Sequence, residues 1–190
     1  MIEAAISHLA ERLNEFLARG MGLSEDIVVV SHLIEQDGSV VPGVTNKLVL
    51  FLTNIEKESA AGLSPVTHFA GSQAGRRAQP VNLNLYLILA ANFAGSNYPE
   101  ALKMISAAIL FFQKNPIFDR QSSPGLDRRI EKLILDIENT GRQDLSNLWG
   151  GLGAKYLPSV LYKMRMLTLD AQDIQSLEPL ISRPELTVKT

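Results

Sequence analysis

The chain has 190 residues, of which 46% are hydrophobic, a net charge of −2 and no cysteine. That length predicts one domain with its own core, and the missing cysteines exclude a disulfide framework and suit a cytoplasmic origin. A pI near 5.9 argues against nonspecific binding to nucleic acid or anionic lipid, and no apolar run reaches the roughly 18 residues of a membrane span.

Residues 2–19 read as an amphipathic helix. Ile2, Ile6, Leu9, Leu13 and Phe16 follow its rhythm, Leu17 widens the stripe, and Gly20 and Gly22 are stop signals. The segment lacks a basic leader region, and acidic residues interrupt its apolar positions, so it does not read as a signal peptide. Residues 27–34, rich in β-branched side chains, predict a strand. Asp37-Gly38 and Pro42-Gly43 predict turns. Residues 47–55 predict a second strand, apolar enough to be buried on both faces.

From Glu56 to Gln79 the periodicity fades. Residues 70–80, with two glycines and the pair Arg76-Arg77, read as a mobile basic loop and a candidate docking loop. Gly75 is followed by arginine and not by the lysine and hydroxyl residue of a phosphate loop, which argues against a nucleotide site.

Residues 81–93 alternate, with Val81, Leu83, Leu85, Leu87 and Leu89 on one face and Asn82, Asn84 and Tyr86 on the other. Residues 98–115 predict a helix with Pro99 near its start and a core stripe of Leu102, Ile105, Ile109 and Phe112. Residues 131–139 predict a strand. A short helix at 144–153, capped around Asp144 or Gln143, carries Trp149, the only tryptophan. Trp149 reads as a core plug that fastens this helix to the sheet, with Gly150, Gly151 and Gly153 letting the chain turn into a last strand at 159–170. The expected fold class is α/β (α+β): a single domain with a mixed or largely antiparallel sheet flanked by helices. The expected division is a domain at 1–170 and a C-terminal tail at 171–190.

His8, His32 and His68 have no partners at metal-ligand spacing, and no nucleophile elbow is present. Asp136 and Glu138 share a strand face, where two solvated carboxylates are far commoner than an acid–base pair. The expectation is therefore no catalytic centre, no metal and no cofactor.

Four ordered blocks, LVLFLTNIEKE, PVNLNLYLILAANF, YPEALKMISAAILFFQKNPIF and NLWGGLGAKYLPSVLYKMRMLTLD, resemble the tail-terminator, or tube-cap, family of contractile injection systems, of the antifeeding-prophage and Photorhabdus virulence cassette type. The resemblance covers most of residues 1–170. It implies a phage tail-terminator-like fold and a structural protein that is not an enzyme. It further implies a homohexamer ring that caps the distal end of the inner tube, contacts the last sheath ring and ends growth of both. Partners would be the inner tube protein and the sheath protein, with no nucleic acid and no membrane. Assembly would be cytoplasmic, in a phage tail-like particle of a kind that can be released. The best-known members continue past the block ending at Asp170, so functions of such an extension are not implied here. Other readings stay open: a neck or baseplate adaptor of the same particle, or a soluble binding module or enzyme.

Overall fold

The computed structural model describes residues 1–58, 68–70, 73–77, 81–169 and 174–179. In chain order the elements are α1 (Ile2–Met21), β1 (Val28–Val30), β2 (Lys47–Lys57), β3 (His68–Ala70), β4 (Gln73–Arg77) and β5 (Val81–Asn92). They continue with α2 (Tyr98–Lys114), β6 (Ile117–Asp119), β7 (Lys132–Ile137), α3 (Arg142–Gly151), β8 (Ser159–Leu169) and β9 (Ile174–Pro179). Six strands form one sheet in the order β1-β2-β5-β8-β7-β6, and three form another in the order β3-β4-β9. Among the described residues, β1 and β2 run parallel and every other strand pairing is antiparallel. The mixed, largely antiparallel sheet with helices is the architecture that the alternating patterns predict.

The long central strands follow from their residues. In β5, Leu85, Leu87, Leu89 and Ala91 point to one face and are buried with α1 and α2. Ile88 and Ala90 point to the other and join a second cluster. Register carries both faces onto the neighbours: Leu87 lies between Leu52 and Tyr162, and Ile88 between Phe51 and Leu161. Irregularities interrupt both ladders a few residues apart, between Leu52 and Asn54 on β2 and between Leu83 and Leu85 on β5. An extra residue at such a point bends and twists the strand.

Helix α1 buries Ile6, Leu9, Leu13 and Leu17 and ends at Gly22, whose φ of 67° is left-handed and whose N–H bonds the carbonyl of Ala18. Its Asn14 reaches β1. The Asn14 Oδ1 accepts from the N–H of Ile27 at 3.0 Å and of Val28 at 2.8 Å, while Nδ2 donates to the Val28 carbonyl at 2.9 Å. Because the Ile27 carbonyl and the Ser31 N–H bond to β2, Val28 would otherwise present bare backbone at the sheet edge. The amide of Asn14 replaces a neighbouring strand there.

Several expectations are corrected. The first strand covers Val28–Val30 and not 27–34. Parallel pairing with β2 forces the chain to leave the sheet and cross over before returning, and Leu33 and Val44 of that crossover pack on the sheet. The core stripe of α2 is Ala101, Met104, Ile105, Ala108, Phe111 and Phe112, while Leu102 is 42% exposed. Apolar residues surround this helix, so its period alone leaves the inner face undecided; small Ala101 and Ala108 allow the close approach. Helix α3 begins at Arg142 after Gly141, with no side-chain cap from Asp144 or Gln143. Gly150 and Gly151 lie within it, and only Gly153 of the three has a positive φ. Segment 56–79 is not an irregular loop over its described residues. Strand β2 continues to Lys57, and β3 and β4 form a hairpin. The mobile-loop reading of 70–80 is corrected likewise, because Gln73–Arg77 is a strand paired on both sides; residues 71–72 and 78–80 lie outside the described residues. In the expected tail, Ile174–Pro179 is β9.

Candidate docking surfaces

The second face of the large sheet is divided between an apolar and a polar half. On the apolar half, Val49, Phe51, Ile88 and Ala90 meet Trp149, with Leu33 and Val44 closing the cluster. Trp149 is 4% exposed and packs edge-on against Tyr156, ring centres 5.7 Å apart. Its flanking Leu148 and Leu152 pack at the cluster's margin. The Trp149 Nε1–H is buried with no acceptor within hydrogen-bond reach. Burial of the ring therefore carries the contact, at the cost of one unpaired donor.

Past the irregularities the same face becomes polar. Register aligns Glu56 with Asn84, Asn54 with Tyr86, Tyr86 with Lys163, and Lys163 with Asp136. The Tyr86 hydroxyl donates to Glu56 Oε2 at 2.7 Å, and Lys163 Nζ sits 5.4 Å from the centre of the Tyr86 ring. Asn84 Nδ2 donates to Glu58 Oε2 at 2.7 Å, and Arg165 forms a close ion pair with Asp136. The hydrogen bond to Glu56 raises the Tyr86 pKa, and the neighbouring Tyr86 raises that of Lys163. Arg165 and Asp136 form an exposed ion pair, and Glu56 and Glu58 accept from the neutral Tyr86 and Asn84, so the face is polar and suited to water. Asn84 and Tyr86 were legible as one face in the alternation of β5; the pairing with Glu56 and Lys163 was not, because register across strands is absent from a single segment's pattern.

The expected docking residues Arg76 and Arg77 lie on β4, where the register is irregular: Arg76 pairs with Ser176 and Arg77 with Ile174. They thus belong to a different sheet from the one that Trp149 packs against. Of the histidines, His8 is buried, His32 is exposed with Nε2 3.3 Å from Glu35, and His68 begins β3. Among the described residues, no group of three His, Asp or Glu side chains could hold a metal ion, and no helix is long and apolar enough to cross a membrane.

Comparison with known proteins gives this surface a context. The sequence matches the family described as the Pvc16 N-terminal domain over residues 4–183. No curated protein matches it. The fold is similar to the PVC sheath/tube terminator in its extended state, from an extracellular contractile injection system, with a TM-score of 0.65 at 16% identity. That likeness covers 100% of this chain and 64% of the other. It is also similar to the tube-terminating cap of the anti-feeding prophage, with a TM-score of 0.55 at 13% identity over 92% of this chain and 58% of that one. The chain thus spans under two thirds of the length of either structural relative.

Proposed function

Because the chain belongs to the Pvc16 N-terminal domain family, we propose that it is a structural cap subunit which ends the inner tube and the last sheath ring of a contractile injection particle. The observation that carries this reading is the likeness of this whole chain to part of a sheath/tube terminator. In this reading the chain forms a homohexamer ring at the tube end distal to the baseplate, touching both tube and sheath proteins. It works by complementary surfaces and not by catalysis, without cofactor or metal, and it is assembled in the cytoplasm. A closed ring needs two different patches on each subunit, one for each neighbour.

The same reading assigns Arg76 and Arg77 to docking. They add two permanent charges to a chain of net charge −2, and guanidinium pairs well with carboxylates in partly desolvated contacts. The test is negative-stain electron microscopy of isolated tubes incubated with the purified chain. Six-fold density at one end, opposite the baseplate, is the expected result. Rings at the baseplate end would instead identify an adaptor of the same particle, and bare tube ends would overturn the assignment.

A further inference from the structure

The two edges of the large sheet differ in charge, and each carries exposed apolar side chains. β1 and β6 are its outermost strands. On the β1 side, Glu25 and Asp26 precede the strand and Glu35 and Asp37 follow it on the crossover to β2, in a stretch, residues 20–46, without lysine or arginine. Lys47, from β2, approaches Glu25 at 3.9 Å and offsets part of that charge. Val30 and Val40 stand in the same region, 45% and 57% exposed. On the β6 side, residues 114–132 carry Lys114, Arg120, Arg128, Arg129 and Lys132 against Asp119, Asp127 and Glu131. Two of those acids are already engaged locally. Asp127 holds Arg129 through two hydrogen bonds, at 3.0 and 2.6 Å, and Asp119 accepts from the backbone of Gln121 and Ser122. Arg120 donates to the backbone carbonyl of Arg128, which brings the two arginines together at the surface. Ile117, on β6 itself, is 45% exposed.

We propose that these edges are the two halves of a head-to-tail contact between copies of this chain, the acidic β1 edge of one subunit meeting the basic β6 edge of the next. The occupant of each edge is a second copy because the complement of each lies on the opposite edge of the same fold. Like edges would repel, which disfavours a two-fold dimer and leaves the heterologous arrangement that can close into a ring. The contact is made by side chains and not by strand addition. Asn14 already occupies the outward backbone of Val28, and both edge strands are three residues long, so few ladder groups are free to recruit a strand. The inference rests on the ring reading above and supplies its subunit contact.

The test uses the full chain with charge reversal on one edge at a time: Asp26→Lys with Glu35→Lys, or Arg128→Glu with Lys132→Glu. Sedimentation velocity reads self-association, thermal melting reads the fold, and microscopy reads tube capping. Each single-edge variant should melt like wild type and associate roughly tenfold or more weakly, and wild-type association should weaken with salt. The chain reversed on both edges should associate again. A second readout does not depend on those variants. Since the chain has no cysteine, Val40→Cys together with Ile117→Cys gives two unique thiols. A short bismaleimide should link them into a ladder of oligomers, whereas Val40→Cys alone should give no ladder. Single-edge variants that associate like wild type, a wild type that stays monomeric both free and on tubes, or a double-cysteine chain that yields no ladder would overturn the proposal. A chain that associates through these edges yet leaves tube ends bare would overturn the cap reading and leave the contact standing. Capping that survives each single-edge reversal undiminished would do the converse.

Discussion

The large and the small sheet share a plan and differ in what holds them. β2, β5 and β8 lie side by side at the centre of one, and β3, β4 and β9 lie side by side in the other, taken from the chain in the same order. The large sheet has both faces occupied over its apolar half, by α1 and α2 on one side and Trp149 on the other. The close contacts of β3, β4 and β9 are with one another, and among the described residues no helix packs extensively on them. Burial between layers offsets the chain entropy of the large sheet, while strand pairing is what joins the three segments of the small sheet.

That contrast is open to breakage in four ways. The largest effect belongs to the tryptophan. Trp149→Ala empties the cluster on the second face and should cost about 3–5 kcal/mol, read as a lower midpoint in urea or heat. Melting at the wild-type midpoint would show that this half of the sheet needs no cover.

A smaller loss follows from cutting the tether between α1 and the sheet. Asn14→Ala leaves the Val28 N–H and C=O without their amide partner, at about 1–3 kcal/mol for the part-buried groups. Asn14→Asp should recover only the accepting half, so its midpoint should fall between the two. An alanine variant as stable as wild type would mean that the edge backbone is satisfied another way.

Smaller again is the pH response of His8. The ring is buried edge-on to Phe118, and its Nε2 has no partner. Burial foremost, then Arg12, lowers its pKa from 6.5, opposed by Glu11 and Glu15. A lowered folded-state value means that the unfolded chain binds the proton more readily. Stability from this group is thus complete above about 6.5 and declines as pH falls from there toward the folded-state value. Urea midpoints across that range should show a decline that His8→Phe reduces. Identical pH profiles for the two chains would remove His8 as its source.

The least effect on stability is expected in the small sheet. Arg76→Glu with Arg77→Glu should leave the folding stability within about 0.5 kcal/mol of wild type while weakening capping and the salt sensitivity of capping. Destabilisation comparable to Trp149→Ala would place these residues in the folding of the subunit and not in its docking.

Which parts were legible follows from where periodicity exists. β5 and β8 announce themselves because both carry long alternation. α1 does so because its outer face is charged, as in the Arg12–Glu15–Arg19 cluster. α2 does not fix its own orientation, because Leu102 and Leu110 make its outer face apolar as well. β3 and β4 were missed because HFA and QAGRR carry little hydrophobic signal; their pairing is a tertiary fact. β6 was missed because three residues are too few to alternate. Of the docking surfaces, the arginine pair stood out as composition. The proposed edge contact required the strand order, which sets β1 and β6 at opposite edges of one sheet.

The central claim, that the chain ends tube growth, is tested most directly by following elongation of purified inner tube protein with and without it. The account predicts that substoichiometric amounts, comparable to the number of tube ends, stop elongation and fix tube length, with the added chain recovered at one end. Tubes that continue to lengthen at the same rate with saturating chain present would contradict it.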